Sequence, residues 1–304
     1  MTIPTKCAVH GVIPAIITPM DEKGNLDLKM LENQALYFTK AGVDGLFLCG
    51  GTGEGAYLTT EEKREVMRTV KEAVGDSVFL CLAAIRPSTR QTLEEIDALA
   101  DLNPDFWVST APFYHAMSQK DLLAHYETIA KHISAPLIVY NIPSTTHNYI
   151  ELDTVAKLSQ LDQVAAVKDS SGNFINFSRG LLGPRSDKFA WIQGEDYLCA
   201  PALLCGGDGM VSGLSNARVE PYVAMYRAYE NKDWDMVRDC QAQINKLYAI
   251  IHSSGNGNAS IKAAAELAGR GRRYMRQQSQ TLQGEQLDAV ARLMDEYDQA
   301  YPGR

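Results

Sequence analysis

Short apolar runs alternate with helix-length amphipathic segments from residue 12 to about residue 230, and this alternation, with no long linker, most constrains the fold. Strands are expected over 12–18, 44–49, 77–84, 106–110, 136–141, 164–168, 189–193 and 209–212. Helical patterns fall between them over 27–41, from Thr59 or Thr60 to about 74, from Ser88 to about 102, from Ser118 to about 132, and over 152–159. The runs are apolar almost throughout, as in strands of a parallel sheet buried on both faces. Eight such units predict a (β/α)8 TIM barrel, an α/β fold in which a parallel sheet closes inside a ring of helices. A doubly wound open sheet is the competitor, since repeats alone do not decide closure, and the count of eight favours the barrel. Beyond about residue 231 only helical patterns remain, over 234–252, 259–267 and 285–300. The expected organisation is therefore a barrel over 1–230 and a C-terminal helical extension over 231–304.

Composition removes several classes of function. A net charge of -8 disfavours nucleic acid and acidic membranes as partners. The local cluster of Arg270, Arg272, Arg273 and Arg276 reads as a solvated face or a contact edge. The chain shows no secretory pattern and no apolar run approaching 18 residues, so a cytoplasmic protein without a membrane span is expected. Its six cysteines never form C-x-x-C and lie mostly in apolar runs, which predicts reduced core residues rather than a disulfide framework or zinc site. His115, His125 and His132 lack a compact metal-ligand spacing, and no metal or other cofactor is expected.

In parallel α/β folds the C-terminal ends of the strands carry the chemistry, which directs attention to one rim. The stretch 164–173, VAAVKDSSGN, places Lys168 at the end of an apolar run that reads as a buried strand. Burial disfavours the ammonium form, and a lysine that is neutral near pH 7 can attack a carbonyl to form a Schiff base. The plainer alternative is a structural lysine paired with Asp169 or another acid. The glycine-rich loop CGGTGEG over 49–55 follows the second strand; its backbone N–H groups can converge on a carboxylate or phosphate, or the loop can be only a tight turn. It lacks the G-K-[ST] of a P-loop and the glycine spacing of a dinucleotide fingerprint. Tyr140, in IVYNIPS, offers a phenol for proton transfer at a carbonyl carbon, and Tyr114, in APFYHAM, has the same standing.

Taken together, GGTGE at 50–54, APFY at 111–114, YNIPS at 140–144, VKDSSGN at 167–173 and GGDG at 206–209 resemble the pyruvate-dependent class I aldolases of the dihydrodipicolinate synthase and N-acetylneuraminate lyase family. The resemblance runs in order from about Gly11 to Lys262. It implies a Schiff base between Lys168 and a 2-oxo acid, with Tyr140 as the proton-transfer residue. It implies that the backbone of Gly51 and Thr52 holds the oxo acid's carboxylate, and that Tyr114 reaches into a neighbouring subunit of a homotetramer. Thr145, Ser170, Asp196 and Ser212 complete the expected substrate-binding set. Three departures bear on substrate. Gly51 stands where relatives carry a Thr or Ser hydroxyl, so the proton relay lacks that group. Thr145 replaces the Arg of the synthases, which argues against dihydrodipicolinate synthesis. The run Gly194, Glu195, Asp196, Tyr197 differs from the G-[YF]-D-E of the sialic-acid lyases. The expected activity is a lyase that cleaves, or condenses pyruvate with an aldehyde to form, a 2-oxo acid such as a 2-keto-3-deoxy sugar acid. The competing activities are a dehydratase of a deoxy-oxo-sugar acid, a dihydrodipicolinate-type synthase, or a non-catalytic barrel that binds a 2-oxo acid.

Overall fold

The computed structural model describes residues 7–302, so the outer ends of the two expected segments, 1–6 and 303–304, lie outside the described residues. Eight parallel strands form the sheet: β1 (Gly11–Pro14), β2 (Gly45–Leu48), β3 (Phe79–Ala83), β4 (Phe106–Thr110), β5 (Leu137–Asn141), β6 (Val164–Asp169), β7 (Ala190–Gln193) and β8 (Gly209–Ser212). Each pairs with its neighbour in sequence from β2 to β8, and β8 pairs with β1. The remaining seam closes through a parallel bridge between Ala15 and Phe47, with Asp44 N donating to Val12 O at 3.0 Å and Ile16 N to Phe47 O at 3.1 Å. The result is the (β/α)8 barrel that the eightfold alternation predicts. Several strands are shorter than the apolar runs that mark them, β1 ending at Pro14 where the run continues to Thr18. Ladder pairing stops at the rim, and the remaining apolar residues line the loops that rise from it.

Strand residues alternate between two compartments, as a period of two requires. Ile13, Phe47, Cys81, Ala83, Val108, Ile138, Tyr140, Ala166, Ile192 and Val211 fill the barrel interior. Residues such as Leu46, Leu82, Trp107, Val139 and Val167 pack outward against the helices. The helices begin where the sequence supplies caps. Thr59 accepts from Glu62 N while Glu62 reaches back to the Thr59 N–H, a complete capping box for the helix Thr60–Val74. Asp27 caps Leu28–Ala41 by accepting from Met30 N alone, and Gly42, at φ 86°, ends that helix in the left-handed conformation that glycine adopts without strain. Past β8 and the helix Glu220–Glu230 that follows it come Trp234–Leu247, Ala249–His252, Gly257–Leu267 and Glu285–Ala300. The expected single helix over 234–252 is thus interrupted at Tyr248, whose ring packs on Tyr197 with centroids 4.0 Å apart. The extension has its own apolar cluster, built on Leu247, Ile250, Ala263, Met294 and Tyr297.

Of the two readings of the arginines at 270–276, the contacts favour a contact edge over a solvated face. Arg270 lies over the Tyr37 ring at 4.2 Å and donates to Ala217 O at 2.6 Å. Arg272 pairs with Asp27 at 2.8 Å, Arg273 with Glu266, and Arg276 with Glu62 at 2.5 Å. These partners come from the barrel side and from the preceding helix, separations that no local charge pattern reveals. Of the cysteines, Cys49, Cys81, Cys199 and Cys240 are buried, whereas Cys205 is exposed.

Two buried ion pairs hold the barrel top. Lys63 donates to Glu95 at 2.7 Å and to Ala83 O at 3.3 Å, and Arg86 also pairs with Glu95. Lys262 donates to Glu54 at 2.7 Å, while the other Glu54 oxygen accepts from Arg276 N at 2.9 Å. Burial lowers the pKa of Lys63, and its carboxylate partner opposes that shift. Breaking such a pair from one side strands a buried charge and costs about 3–5 kcal/mol. Glu95→Ala should therefore lower unfolding stability by about that amount, read as a reduced urea midpoint at unchanged m-value.

Candidate active site

Register across β4, β5 and β6 aligns Thr110 with Tyr140 and Tyr140 with Lys168. Val108, Ile138 and Ala166 face the barrel interior, so the residues two places on, at the C-terminal end of each strand, face the same way. Three neighbouring strands thus present a hydroxyl, a phenol and an amine side by side at one level. Lys168 Nζ lies 3.9 Å from the Tyr140 ring centroid and 4.5 Å from that of Phe47. Lys168 is 5% exposed and, unlike Lys63 and Lys262, forms no ion pair among the described residues. The structural reading of Lys168 as the partner of Asp169 therefore fails: Asp169 accepts from Asn141 Nδ2 at 2.9 Å and from Ser171 Oγ at 3.1 Å.

Desolvation lowers the Lys168 pKa to about 7, against the opposing charge of nearby Asp196. Desolvation also raises the Tyr140 pKa to about 12, with the neighbouring Ser170 side chain acting the other way. Near neutral pH the amine is therefore part neutral and the phenol fully protonated. Asp196 is half-buried and held by two donors, Ser212 Oγ at 2.5 Å and Tyr222 OH at 2.7 Å. Burial raises its pKa to about 6 despite those bonds.

A cavity of about 410 Å³ opens above this row. Its wall includes Gly51, Thr52, Thr110, Phe113, Tyr140 and Thr145. Gly51 and Thr52 leave their backbone N–H groups out of the bonds that close the loop, among the described residues, whereas Glu54 N donates to Gly51 O and Gly55 N to Gly50 O. Gly55 must be glycine, because a Cβ there would lie 1.6 Å from Cys49 O. Gly51 is different: a Cβ built on it meets nothing within 4 Å, so crowding does not explain the absent hydroxyl. Thr52 Oγ1 would lie 2.6 Å from a Cβ at Gly213, so the Thr52 side chain rests on that glycine beyond β8.

The candidate residues therefore separate into groups. Tyr140, Gly51, Thr52 and Thr145 line the cavity, and Lys168 sits behind the Tyr140 ring. Ser170 donates to Gly194 O at 3.3 Å. Asp196, in the turn that follows β7, and Ser212, at the end of β8, bond to each other and are not among the residues lining the cavity. Tyr114 stands apart at 87% exposure with φ 82° and its ring edge against His115. Sequence reasoning missed Thr110 and the far wall, where Asn256, Asn258, Met275 and Gln280 of the C-terminal extension close over the barrel mouth. Asn258 Nδ2 donates to Gly51 O at 3.2 Å, fixing the glycine loop from above. A signal was present for Thr110 alone, as a polar residue ending an apolar strand.

Comparisons with known proteins follow this geometry. The model of the dihydrodipicolinate synthetase family matches residues 8–297. A 4-hydroxy-tetrahydrodipicolinate synthase of Methanosphaerula palustris is 30% identical over 291 residues, 95% of this chain and 99% of that protein. A DapA-like lyase of Halobacterium salinarum is 34% identical over 264 residues, 86% of this chain and 85% of that protein. Among solved structures, a chloride-inhibited dihydrodipicolinate synthase of Acinetobacter baumannii, complexed with pyruvate, superposes with a TM-score of 0.89 at 25% identity, covering 95% of this chain and 99% of that one. With a match over nearly its whole length and the same barrel, this chain belongs to the dihydrodipicolinate synthetase family.

Proposed function

We propose that this protein is a Schiff-base lyase that cleaves a 4-hydroxy-2-oxo acid to pyruvate and an aldehyde, or runs the reverse condensation, with Lys168 as the nucleophile. The single observation that carries this reading is a buried lysine that forms no ion pair among the described residues, at the end of β6, against the ring of Tyr140. Lys168 attacks the 2-oxo carbon as the free amine. Tyr140 gives a proton to the departing water and becomes a phenolate beside the new iminium cation. In cleavage that phenolate takes the C4 hydroxyl proton, the C3–C4 bond breaks, and its electrons neutralise the iminium as an enamine. The same groups in reverse order perform condensation. The N–H groups of Gly51 and Thr52 hold the carboxylate and so fix the carbonyl carbon against the amine. Asp196, tied to Ser212, keeps negative charge near the iminium, and Ser170 steadies the Tyr140 hydroxyl.

The aldehyde end occupies the outer chamber, beside Thr145, Asn256, Asn258 and Gln280. Among the described residues no lysine or arginine lines the cavity, which supports an uncharged, hydroxylated aldehyde over an acidic one. This is the feature that favours a 2-keto-3-deoxy sugar acid as substrate. Product analysis separates the lyase from a dehydratase, because only the lyase releases pyruvate and an aldehyde.

Tyr114 reaches into the site of a neighbouring subunit in a homotetramer. Its 87% exposure and φ of 82° support this, since a bulky side chain held in the left-handed region costs about 1–3 kcal/mol and persists where it serves a purpose. Sedimentation should give a tetramer, and Tyr114→Ala should lower kcat tenfold or more while leaving the melting temperature of the chain within a few degrees. The enzyme works in the cytoplasm; among the described residues no helix is long and apolar enough to cross a membrane.

A pH profile tests the protonation states directly. Only the neutral amine attacks, so kcat/KM should rise with pH through about 7 and level off above it. A limb centred near 10 instead would mean that Lys168 is not desolvated in solution.

A further inference from the structure

Eight side chains have a buried polar atom without a hydrogen-bond partner among the described residues, and Thr110 is the one of them that lines the cavity. It is 3% exposed, and its own backbone is already engaged, since Thr110 O accepts from His125 Nε2 at 3.2 Å and from Ser109 Oγ at 3.3 Å. Its hydroxyl is therefore not serving the fold. A buried hydroxyl left unpaired is costly, so one that persists facing a cavity is placed for a ligand.

The register says which ligand atom. Lys168, Tyr140 and Thr110 occupy one level on adjacent strands, and adjacent strands lie roughly 4.8 Å apart. A 2-oxo acid joined to Lys168 at C2 and extending past Tyr140 brings its C4 oxygen toward Thr110. We propose that Thr110 is a catalytic residue of this chain, its hydroxyl donating a hydrogen bond to the C4 oxygen while Tyr140 carries that oxygen's proton. The inference rests on the Schiff-base reading above and adds a group to it. The balance of the step is unchanged. In cleavage the C4 hydroxyl proton goes to the Tyr140 phenolate, the C3–C4 electrons form the enamine, and C4 leaves as a carbonyl; Thr110 keeps its proton throughout. Gly51, where a side chain would meet nothing, brings no hydroxyl of its own toward that oxygen.

The test compares wild type, Thr110→Val and Thr110→Ser in the full-length protein. Two rates are measured: condensation of pyruvate with glycolaldehyde, glyceraldehyde, benzaldehyde or succinic semialdehyde, whichever wild type uses, and exchange of the pyruvate methyl protons in deuterated water. Exchange needs Lys168 and Tyr140 but has no C4 oxygen. Removing one donor from a developing oxyanion lowers turnover about 10²–10³-fold. Thr110→Val should show that loss in condensation kcat, with methyl exchange within twofold of wild type and an unlowered melting temperature, and Thr110→Ser should recover most of the rate. Condensation within threefold of wild type in Thr110→Val would overturn the proposal, as would equal losses in condensation and exchange. Wild type that condenses none of the four aldehydes and exchanges no methyl protons would remove the Schiff-base reading itself, and Thr110's role with it.

Discussion

Lys168→Met should lose at least four orders of magnitude in kcat and still fold at least as firmly as wild type. Removal of a covalent nucleophile leaves only binding and positioning, and no neighbouring amine can substitute, because Lys63 and Lys262 are each locked in a buried ion pair. The stability half follows from the same desolvation that makes the lysine useful. Its folded-state pKa is about 7 against an ordinary value of 10.5. Between those values the unfolded chain binds the extra proton, so stability rises with pH across that window, and the cost of burying Lys168 is greatest below pH 7. A methionine of similar length carries no such cost. Lys168→Met should therefore raise the melting temperature by a few degrees at pH 6, with the gain shrinking toward pH 10. An unchanged kcat would end the nucleophile assignment; a sharply lowered melting temperature would mean that the ammonium has an acidic partner in solution.

Tyr140→Phe carries the second largest expected effect. The ring is half of the aromatic pair that flanks Lys168, edge to face with Phe47 at 5.9 Å between centroids, and phenylalanine keeps that packing. What is lost is the proton. General acid–base catalysis by one positioned group is worth about 10²–10⁴-fold, so kcat should fall within that range while stability changes little. The deficit should appear both in adduct formation and in C–C cleavage, because the phenol serves departing water first and the C4 hydroxyl later. A variant that loses cleavage but forms the adduct at the wild-type rate would restrict Tyr140 to the second step.

Strand identity was legible because each strand is buried on both faces and so reads as an unbroken apolar run, and barrel closure because those runs number eight. The rim position of Lys168 was legible for the same reason, as a charge ending such a run, and the glycine loop because Gly55 has no room for a side chain beside Cys49 O. Other features depend on juxtaposition that a linear reading lacks. Lys63 sits on a helix whose first turn is acidic and reads as surface, yet it is fully buried against Glu95, 32 residues away. Glu54 and Lys262 are 208 residues apart. Asn256, Asn258 and Gln280 close the cavity from an extension whose own sequence speaks only of helices. The arginines at 270–276 could be read as a solvated face or a contact edge but not assigned partners, because those partners, among them Asp27 and Glu62, are distant in the chain. The hydrogen bond between Asp196 and Ser212, and the charge that Asp196 brings near Lys168, join ends of different strands and have no signature in the linear sequence.

The most direct test of the central claim is borohydride reduction in the presence of pyruvate, with intact mass and peptide mapping of wild type and Lys168→Ala. Schiff-base chemistry at the end of β6 predicts one reduced pyruvate adduct per wild-type chain, mapped to the peptide that carries Lys168, and no adduct in the variant. An adduct on another lysine, or wild type that gains no mass, would contradict it.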